Sequence, residues 1–176
     1  MRNLELDKVY QKLEPGPVVL LTTAECGRPN VMTMSWHMMV EFNPPLIACV
    51  VSEADYSFRA LSQSGEAVIA IPPADLAETV VGIGNCSGRD VDKFARFGLT
   101  AKRANEVEAP LIEQCIVNIE CKVLDRGMVK RYNLFILEAV KAWVDPKRAE
   151  APTLHHCGYG RFRIDGEELR LRSAKP

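Results

Sequence analysis

Hydrophobic and polar residues alternate most regularly between Asn30 and Met38, and this pattern predicts a β-strand. Successive side chains of a strand point to opposite faces, so the stretch carries two rows of different character. One row is large: Met32, Met34, Trp36 and Met38. The other is smaller and mostly hydrogen-bonding: Val31, Thr33, Ser35 and His37. The second row fits a flat polar ligand lying along the strand, and it also fits a half-exposed strand whose hydroxyl groups face water.

Apolar runs bounded by proline, glycine or polar residues predict further strands along the chain. Three of them are short and buried: residues 18–23, 46–52 and 66–71. Two longer runs, residues 114–124 and 132–144, are expected to pair across the turn at residues 125–127. A turn at residues 25–30 joins the first strand to the alternating stretch, which Pro44 and Pro45 end. A last hairpin is expected between residues 161–164 and 169–171.

Apolar residues at helical spacing predict a few short helices between these strands. They cover residues 3–14 and 55–61, a segment that follows a cap at Asp75, and residues 91–97 after a cap at Asp90. Many short strands with few helices are typical of a mainly β protein, so we expect a closed antiparallel barrel with inserted short helices. The 176 residues are enough for a single domain.

Composition excludes several classes of function. The formal net charge of −1 argues against a nucleic-acid partner, which would favour a basic surface. The apolar runs are too short to span a bilayer, and the first residues lack the pattern of a signal peptide, so we expect a cytoplasmic protein without membrane contact. The six cysteines form no C-x-x-C pair, which excludes a zinc ribbon and a thioredoxin-type motif.

Two predicted helix starts carry groups that suit an anion. Ser57 follows Asp55 and Tyr56 at the first start, where unpaired backbone N–H groups favour a phosphate. The alternative is that Asp55 or Ser57 only caps the helix. The second start places Arg89 and Lys93 where cations are normally unfavourable, which indicates a bound anion.

Arg89 and Lys93 have an alternative role as well, because they also fit a solvated charged face paired with Asp90 and Asp92. The nearby segment Gly82-Ile83-Gly84-Asn85 follows a helix rather than a strand, so a dinucleotide-binding loop is excluded.

The segment from His155 to Phe162 gathers histidine, cysteine and aromatic residues near the C-terminus. A metal site needs a further ligand at a defined spacing, and the sequence shows none, so we predict no metal. A loop or a dimer contact fits the segment better.

Four segments of this chain, in this order, resemble those of the flavin reductase-like FMN-binding proteins, with flavoredoxin and ferric reductase as the most similar branch. They are residues 29–36 (PNVMTMSW), 43–46 (NPPL), 87–94 (SGRDVDKF) and 109–112 (APLI). The resemblance implies a mainly β, antiparallel Greek-key split barrel and a homodimer with one FMN per subunit at the dimer interface. The domain would span residues 1–176, with a core over residues 17–144 and a C-terminal segment, residues 145–176, at the interface.

The resemblance also implies which residues contact FMN. The strand from Asn30 to Trp36 would lie along the flavin ring, with polar groups from Asn30, Thr33 and Ser35. Ser52, Tyr56 and Ser57 would lie toward the ribityl chain and phosphate, Lys93 would reach the flavin from its own helix, and Phe162 would cover the ring. The full predicted set is Asn30, Met32, Thr33, Met34, Ser35, Trp36, Ser52, Tyr56, Ser57, Arg89, Lys93 and Phe162.

The resemblance leaves two functions to compare. The leading one is a flavin or ferric-type reductase that oxidises NAD(P)H, and the alternative is a non-enzymatic FMN electron carrier reduced by a partner protein. Family members that oxidise a nicotinamide often carry histidine where this chain has Tyr132, which favours the carrier. In either case the flavin performs the redox chemistry, and we expect no essential catalytic side chain.

Overall fold

The structure is a computed structural model, and it describes residues 2–9 and 16–172. Within these residues the strands are β1 (Arg2–Leu4), β2 (Val19–Glu25), β3 (Arg28–Met34), β4 (His37–Phe42), β5 (Pro45–Val50), β6 (Glu66–Ile71), β7 (Ala101–Lys102), β8 (Leu111–Ile112), β9 (Val117–Asp125), β10 (Leu134–Val144), β11 (Leu154–His156) and β12 (Phe162–Ile164). The helices are α1 (Tyr56–Ser64), α2 (Ala77–Gly84), α3 (Lys93–Arg96) and α4 (Val129–Tyr132), with 3₁₀ turns at Leu6–Lys8 and Ala74–Leu76.

The hairpin of β2 and β3 is formed by a two-residue turn whose residues adopt left-handed backbone conformations. Cys26 and Gly27 both have left-handed backbone angles, with φ of 51° and 76°. A two-residue turn of this kind matches the right-handed twist of the strands it joins. Glu25 therefore pairs with Arg28, and the ladder runs on to Val19 opposite Met34.

The main sheet curls into a barrel, but no backbone ladder is formed between its two end strands, β3 and β4, within the described residues. Its order is β3-β2-β6-β9-β10-β5-β4, and neighbouring strands are antiparallel. β3 and β4 stand at opposite ends of this order, yet only Ser35 and Trp36 separate them in the chain. The two edges of the sheet must therefore lie near each other, which gives a barrel that is open along one seam.

The prediction of one continuous strand through Asn30 and Met38 is therefore wrong at its centre. After Met34 the chain leaves the ladder with β2, and Trp36 O accepts a hydrogen bond from Val50 N at 3.0 Å. β4 then pairs with β5. A strand that changes partners at a barrel seam keeps its alternation of polar and apolar residues, so the pattern alone does not reveal the break.

Two apolar layers follow from the alternation along β2. Val19 and Leu21 point into the barrel, whose fully buried residues include Ile69, Ile119 and Phe135. Leu20 points outward, into a second cluster that packs α2 against the outside of β2 and β3 through Val80 and Ile83. This second layer fixes the distance between α2 and β3, and the candidate site lies beside it.

Glu120 holds the loop before β8 against the outside of the sheet. Its side chain is fully buried, and its carboxylate accepts hydrogen bonds from the backbone N–H groups of Asn105 and Glu106 and from Trp143 Nε1, at 2.6–3.1 Å. No described lysine or arginine forms an ion pair with it. The negative charge is stabilised by N–H donors, and each of them needs an acceptor.

Glu120→Gln should lower the free energy of unfolding by about 2–4 kcal/mol, because the amide nitrogen cannot accept the hydrogen bonds that the carboxylate accepts. Urea denaturation followed by circular dichroism measures the change. The matched control is Glu113→Gln, which removes an exposed carboxylate paired with Lys102 and should change stability by less than about 1 kcal/mol. Equal effects of the two variants would contradict this role of Glu120.

The cysteines are unpaired, and three of them lie in the interior. Burial raises the pKa of Cys49 to about 12 and raises the pKa values of Cys115 and Cys121 as well. These three thiols therefore stay protonated and pack as small apolar groups.

Most predicted elements are confirmed, with shifted ends. The strands predicted at residues 18–23, 46–52, 66–71 and 114–124 correspond to β2, β5, β6 and β9, and the long pair of β9 with β10 is present. The helix predicted from Asp55 is α1, which ends at Gly65 with a φ of 70°. The strand predicted from Tyr132 begins at Leu134, because α4 and a left-handed Asn133 precede it.

The helix predicted over residues 3–14 is wrong for its described part, residues 3–9, and its remainder lies outside the described residues. Arg2–Leu4 instead forms β1 and pairs with Ala142–Val144 of β10. β5 pairs with β10 only from Leu134 to Glu138, so the end of β10 has a free edge that β1 satisfies. This tertiary pairing outweighs the local helical spacing.

Three further predictions need correction. Asp75 caps no helix, because it lies inside a 3₁₀ turn that precedes α2. The cap of α3 is Asp92 rather than Asp90, since the Asp92 carboxylate accepts from Ala95 N at 3.1 Å. β12 pairs with β11 and not with residues 169–171, because a turn with left-handed Gly158, Tyr159 and Gly160 brings the preceding segment back.

Candidate functional site

A cleft of about 320 Å³, hereafter the polar cleft, lies between β3, the start of α1 and the segment that joins α2 to α3. Its lining combines residues from all three: Asn30, Met32, Thr33, Ala54, Asp55, Tyr56, Ser57, Ile83, Gly84, Asn85, Cys86, Ser87 and Lys93. The two helix starts that the sequence indicates as anion sites therefore meet in one cleft.

Lys93 brings a buried cation to this cleft. The residue is only 6% exposed, and its Nζ atom donates to Ile83 O at 2.9 Å. Burial lowers the pKa of Lys93, while the Cys86 thiol and the Asp55 carboxylate act in the opposite direction. No ion pair to Lys93 is formed within the described residues, so the alternative of pairing with Asp90 or Asp92 does not hold for it. The ammonium has three donors, and two remain for a ligand.

Asn30 and Ser57 also line the polar cleft. Both are buried, and Asn30 Nδ2 donates to Ser57 Oγ at 2.8 Å. This hydrogen bond joins β3 to the first turn of α1. The Ser57 hydroxyl therefore acts as an acceptor toward Asn30.

The start of α1 is open toward the cleft. Asp55 occupies the cap position, but its side chain forms no hydrogen bond to the helix and instead accepts from Ser52 N at 3.0 Å. The alternative is thus confirmed for the position of Asp55, but its side chain does not cap the helix by a hydrogen bond. Backbone N–H groups in the first turn of a helix, at the positive end of its dipole, favour an anion.

A second space of about 330 Å³, the apolar cavity, adjoins the polar cleft and shares Thr33, Gly84 and Asn85 with it. Its other lining residues are Val18, Ser35, Val80, Val81, His156, Gly160 and Phe162. The His156 ring lies on the Phe162 ring, with centroids 5.2 Å apart. The Thr33 hydroxyl donates to Val80 O at 2.6 Å, so it offers a ligand only its oxygen lone pairs. Together the two spaces form one elongated site with a polar and an apolar end.

The structure brings eight of the predicted site residues to these two spaces and leaves four outside. The eight are Asn30, Met32, Thr33, Ser35, Tyr56, Ser57, Lys93 and Phe162. Met34 is buried in the barrel core, and Trp36 is 71% exposed at the seam between β3 and β4. Ser52 and Arg89 lie near the rim without lining either space.

The lining residues that were not predicted from the sequence include Gly84, Asn85, Cys86 and His156. Gly84 and Asn85 line both spaces at the end of α2, and the pair of glycines in residues 82–85 was their only signal. His156 lies in a segment in which the spacing of the histidines matches no known ligand-binding motif.

Within residues 2–9 and 16–172 no group of three or more histidine, cysteine, aspartate or glutamate side chains is arranged to hold a metal ion. His155 contacts Thr153 Oγ1 at 3.2 Å, and His156 contacts Phe162. None of the described helices is long and apolar enough to cross a membrane.

The chain was compared with known proteins. The family model described as "Flavin reductase like domain" matches residues 12–163. The Escherichia coli K12 protein YddH is 31% identical, over 94% of this chain and 95% of its own length. An FMN-binding domain of a flavin reductase-like enzyme from Shewanella baltica has 26% identity and a TM-score of 0.91, covering 97% of each chain. Flavoredoxin from Desulfovibrio vulgaris has 25% identity and a TM-score of 0.81, covering 91% of this chain and 92% of its own. These similarities confirm the predicted mainly β, split-barrel fold.

Proposed function

This chain belongs to the flavin reductase-like domain family, and from that premise we propose that it is an FMN-dependent redox protein. The observation that carries the proposal is the buried Lys93 side chain, which lines the same cleft as Ser57, beside an apolar cavity that shares three lining residues with the cleft. FMN has the matching shape, since a flat ring at one end is joined through a ribityl chain to a phosphate at the other.

The polar cleft fits the phosphate. Lys93 Nζ has two donors free for it, and the Ser57 hydroxyl and the first-turn amides of α1 add uncharged donors. Without an anion, a lysine that is 6% exposed would keep its charge with the Ile83 carbonyl as its one hydrogen-bond acceptor among the described residues. The donor set therefore favours a ligand with a negative charge.

The apolar cavity fits the flavin ring. Val18, Val80 and Phe162 provide apolar contact, and Thr33 and Ser35 place oxygen atoms along the strand edge. The two spaces of about 320 and 330 Å³ together are in the range expected of a cofactor site. FMN would supply the electron-transfer chemistry, while the chain binds and orients it and limits access of water.

The four predicted residues that line neither space would support the site from its surroundings. Met34 anchors β3 in the barrel core, behind the polar row. Ser52 Oγ accepts from Ala54 N at 3.2 Å and shapes the loop before α1. Arg89 adds an exposed positive charge at the rim, and Trp36 lies at the seam beside Ser35.

We also propose a homodimer, which the exposed face of β4 supports. Four large apolar side chains, hereafter the β4 row, lie on β4 or directly before it: Trp36, Met38, Val40 and Phe42 are 71%, 61%, 47% and 58% exposed. The ladder with β5 shifts register between Met39 and Glu41, within this row. A group of exposed large apolar side chains of this kind still marks an interaction surface. In the C-terminal segment, Tyr159 is fully exposed and adds a second apolar contact near the cavity.

The donor of electrons distinguishes a reductase from a carrier. We propose the NAD(P)H-dependent flavin or ferric-type reductase first, because the family contains reductases. One observation favours the carrier: Tyr132 ends α4, 49% exposed with the Arg131 guanidinium over its ring, and lines neither space of the site.

As a reductase, the FMN-loaded protein should oxidise NADH or NADPH at about 1–10 s⁻¹, an ordinary enzymatic rate. Steady-state absorbance at 340 nm measures this. A rate below about 0.01 s⁻¹, with FMN that dithionite still bleaches, would contradict the reductase and support the carrier. Tyr132→His should then raise the rate without changing FMN affinity, and Tyr132→Phe is the matched control for loss of the hydroxyl.

A further inference from the structure

We propose that Asn30 is a positioning residue that makes the site prefer a phosphorylated flavin, because it fixes the direction in which Ser57 donates its hydroxyl proton. This inference rests on the proposed function, since the phosphate it concerns is that of FMN. It assigns Asn30 a role different from the direct contact with the flavin ring that the family resemblance implies.

The hydrogen bond between Asn30 and Ser57 has a defined polarity. A serine hydroxyl has one donor and two acceptor positions, and the amide Nδ2 of Asn30 occupies an acceptor position at 2.8 Å. Asn30 Nδ2 can only donate, so the Ser57 proton must point elsewhere. No described residue accepts that proton, and Ser57 lines the polar cleft. The proton is therefore available to an acceptor in the cleft.

Packing holds the Asn30 side chain in this position. A Cβ atom at Gly88 would lie 2.1 Å from Asn30 Oδ1 and 2.7 Å from Tyr56 Cδ1, so the loop after α2 approaches both side chains as closely as a glycine allows. Asn30 itself is 8% exposed. The amide is thus confined between Gly88 on one side and Ser57 on the other.

The consequence is a preference between ligands. Ser57 Oγ and Lys93 Nζ both line the cleft and would both donate to a phosphate bound there. Riboflavin has no phosphate and gains neither hydrogen bond. Asn30 does not need to touch the ligand to have this effect, because it acts through the orientation of Ser57.

The test is a double-mutant cycle read out as the ratio of the riboflavin Kd to the FMN Kd, measured by quenching of flavin fluorescence. The variants are Asn30→Leu, Ser57→Ala and the two combined. Each single substitution should lower the ratio by about tenfold, the loss expected for one hydrogen bond to a charged group. The combined variant should lower it no further, because Asn30 acts only through Ser57.

The matched control is Thr22→Val, which removes another buried hydrogen bond, from Thr22 Oγ1 to Pro110 O at 2.7 Å, on the neighbouring strand. This variant should leave the ratio unchanged. Asn30→Ala, which removes the donor without adding bulk, gives a second measurement if Asn30→Leu folds poorly.

Two outcomes would overturn the inference. One is an unchanged ratio in Asn30→Leu, which includes equal weakening of both flavins, and the other is a combined variant whose loss is the product of the single losses. Failure of the proposed function is distinct from these, because it shows in the unsubstituted protein as no binding of either flavin.

Discussion

Lys93→Met combined with Ser57→Ala should weaken FMN binding by about 100-fold or more and riboflavin binding by no more than about threefold. The substitutions remove a charge-assisted donor and a hydroxyl donor that both face the polar cleft. Contacts of this kind contribute about 1.5–3 kcal/mol each when one partner is charged. Methionine replaces the unbranched aliphatic part of the lysine side chain and lacks only the ammonium, so packing beside α2 changes little.

The FMN affinity should also depend on pH, because protonation of Lys93 affects phosphate binding. Burial lowers the pKa of Lys93, so in the free protein its ammonium loses the proton at a lower pH than an exposed lysine does. The charged form binds phosphate, and FMN affinity should therefore fall as the pH rises through this pKa. In Lys93→Met the affinity should be flat over that alkaline range.

The control for both measurements is Lys122→Met, which removes an exposed positive charge on β9, outside the two spaces of the site. Its FMN affinity should equal that of the unsubstituted protein. Equal loss of FMN and riboflavin in the double variant would remove the phosphate role from Lys93 and Ser57.

Met38→Glu should dissociate the proposed homodimer, raising its dissociation constant by about 100-fold or more. Met38 lies near the middle of the β4 row, and a carboxylate there would be desolvated without a cationic partner if the row is buried between two copies. The monomer should stay folded, because Met38 is 61% exposed in the single chain. Light scattering at about 10 µM protein separates the two masses, a concentration above the dissociation constant of a typical stable dimer.

Leu124→Glu is the matched control, since Leu124 is also an exposed apolar strand residue, at 55%, but lies on β9 outside the β4 row. It should remain dimeric. A monomeric mass for the unsubstituted protein would contradict the dimer, and a dimer that survives Met38→Glu but not Leu124→Glu would place the interface elsewhere.

The parts of the fold that sequence predicts well are those decided by local pattern. β2, β5 and β6 each contain a short apolar run next to turn-forming or proline residues, so their positions follow directly from the sequence. Gly65 ends α1 because it adopts a left-handed φ of 70° at little cost. Lys93 was also predicted from local sequence, because a cation is unusual at the start of a helix.

The parts that sequence does not predict depend on long-range contacts. β1 forms because a distant strand, β10, offers a free edge, and nothing in residues 2–4 signals that edge. The division between β3 and β4 is set by which strand each one pairs with. Asn30 and Ser57 each stand out as hydrogen-bonding residues, but their contact joins elements that are 27 positions apart. The apolar cavity likewise needs Phe162 and His156 to fold back onto α2.

The most direct measurement of the central claim is a calorimetric titration of flavin-free protein with FMN. We expect about one FMN bound per chain, with a Kd below about 1 µM and weaker binding of riboflavin, because the Lys93 ammonium and the Ser57 hydroxyl meet a phosphate in the polar cleft. No heat of binding at about 100 µM FMN, or equal affinity for FMN and riboflavin, would contradict it.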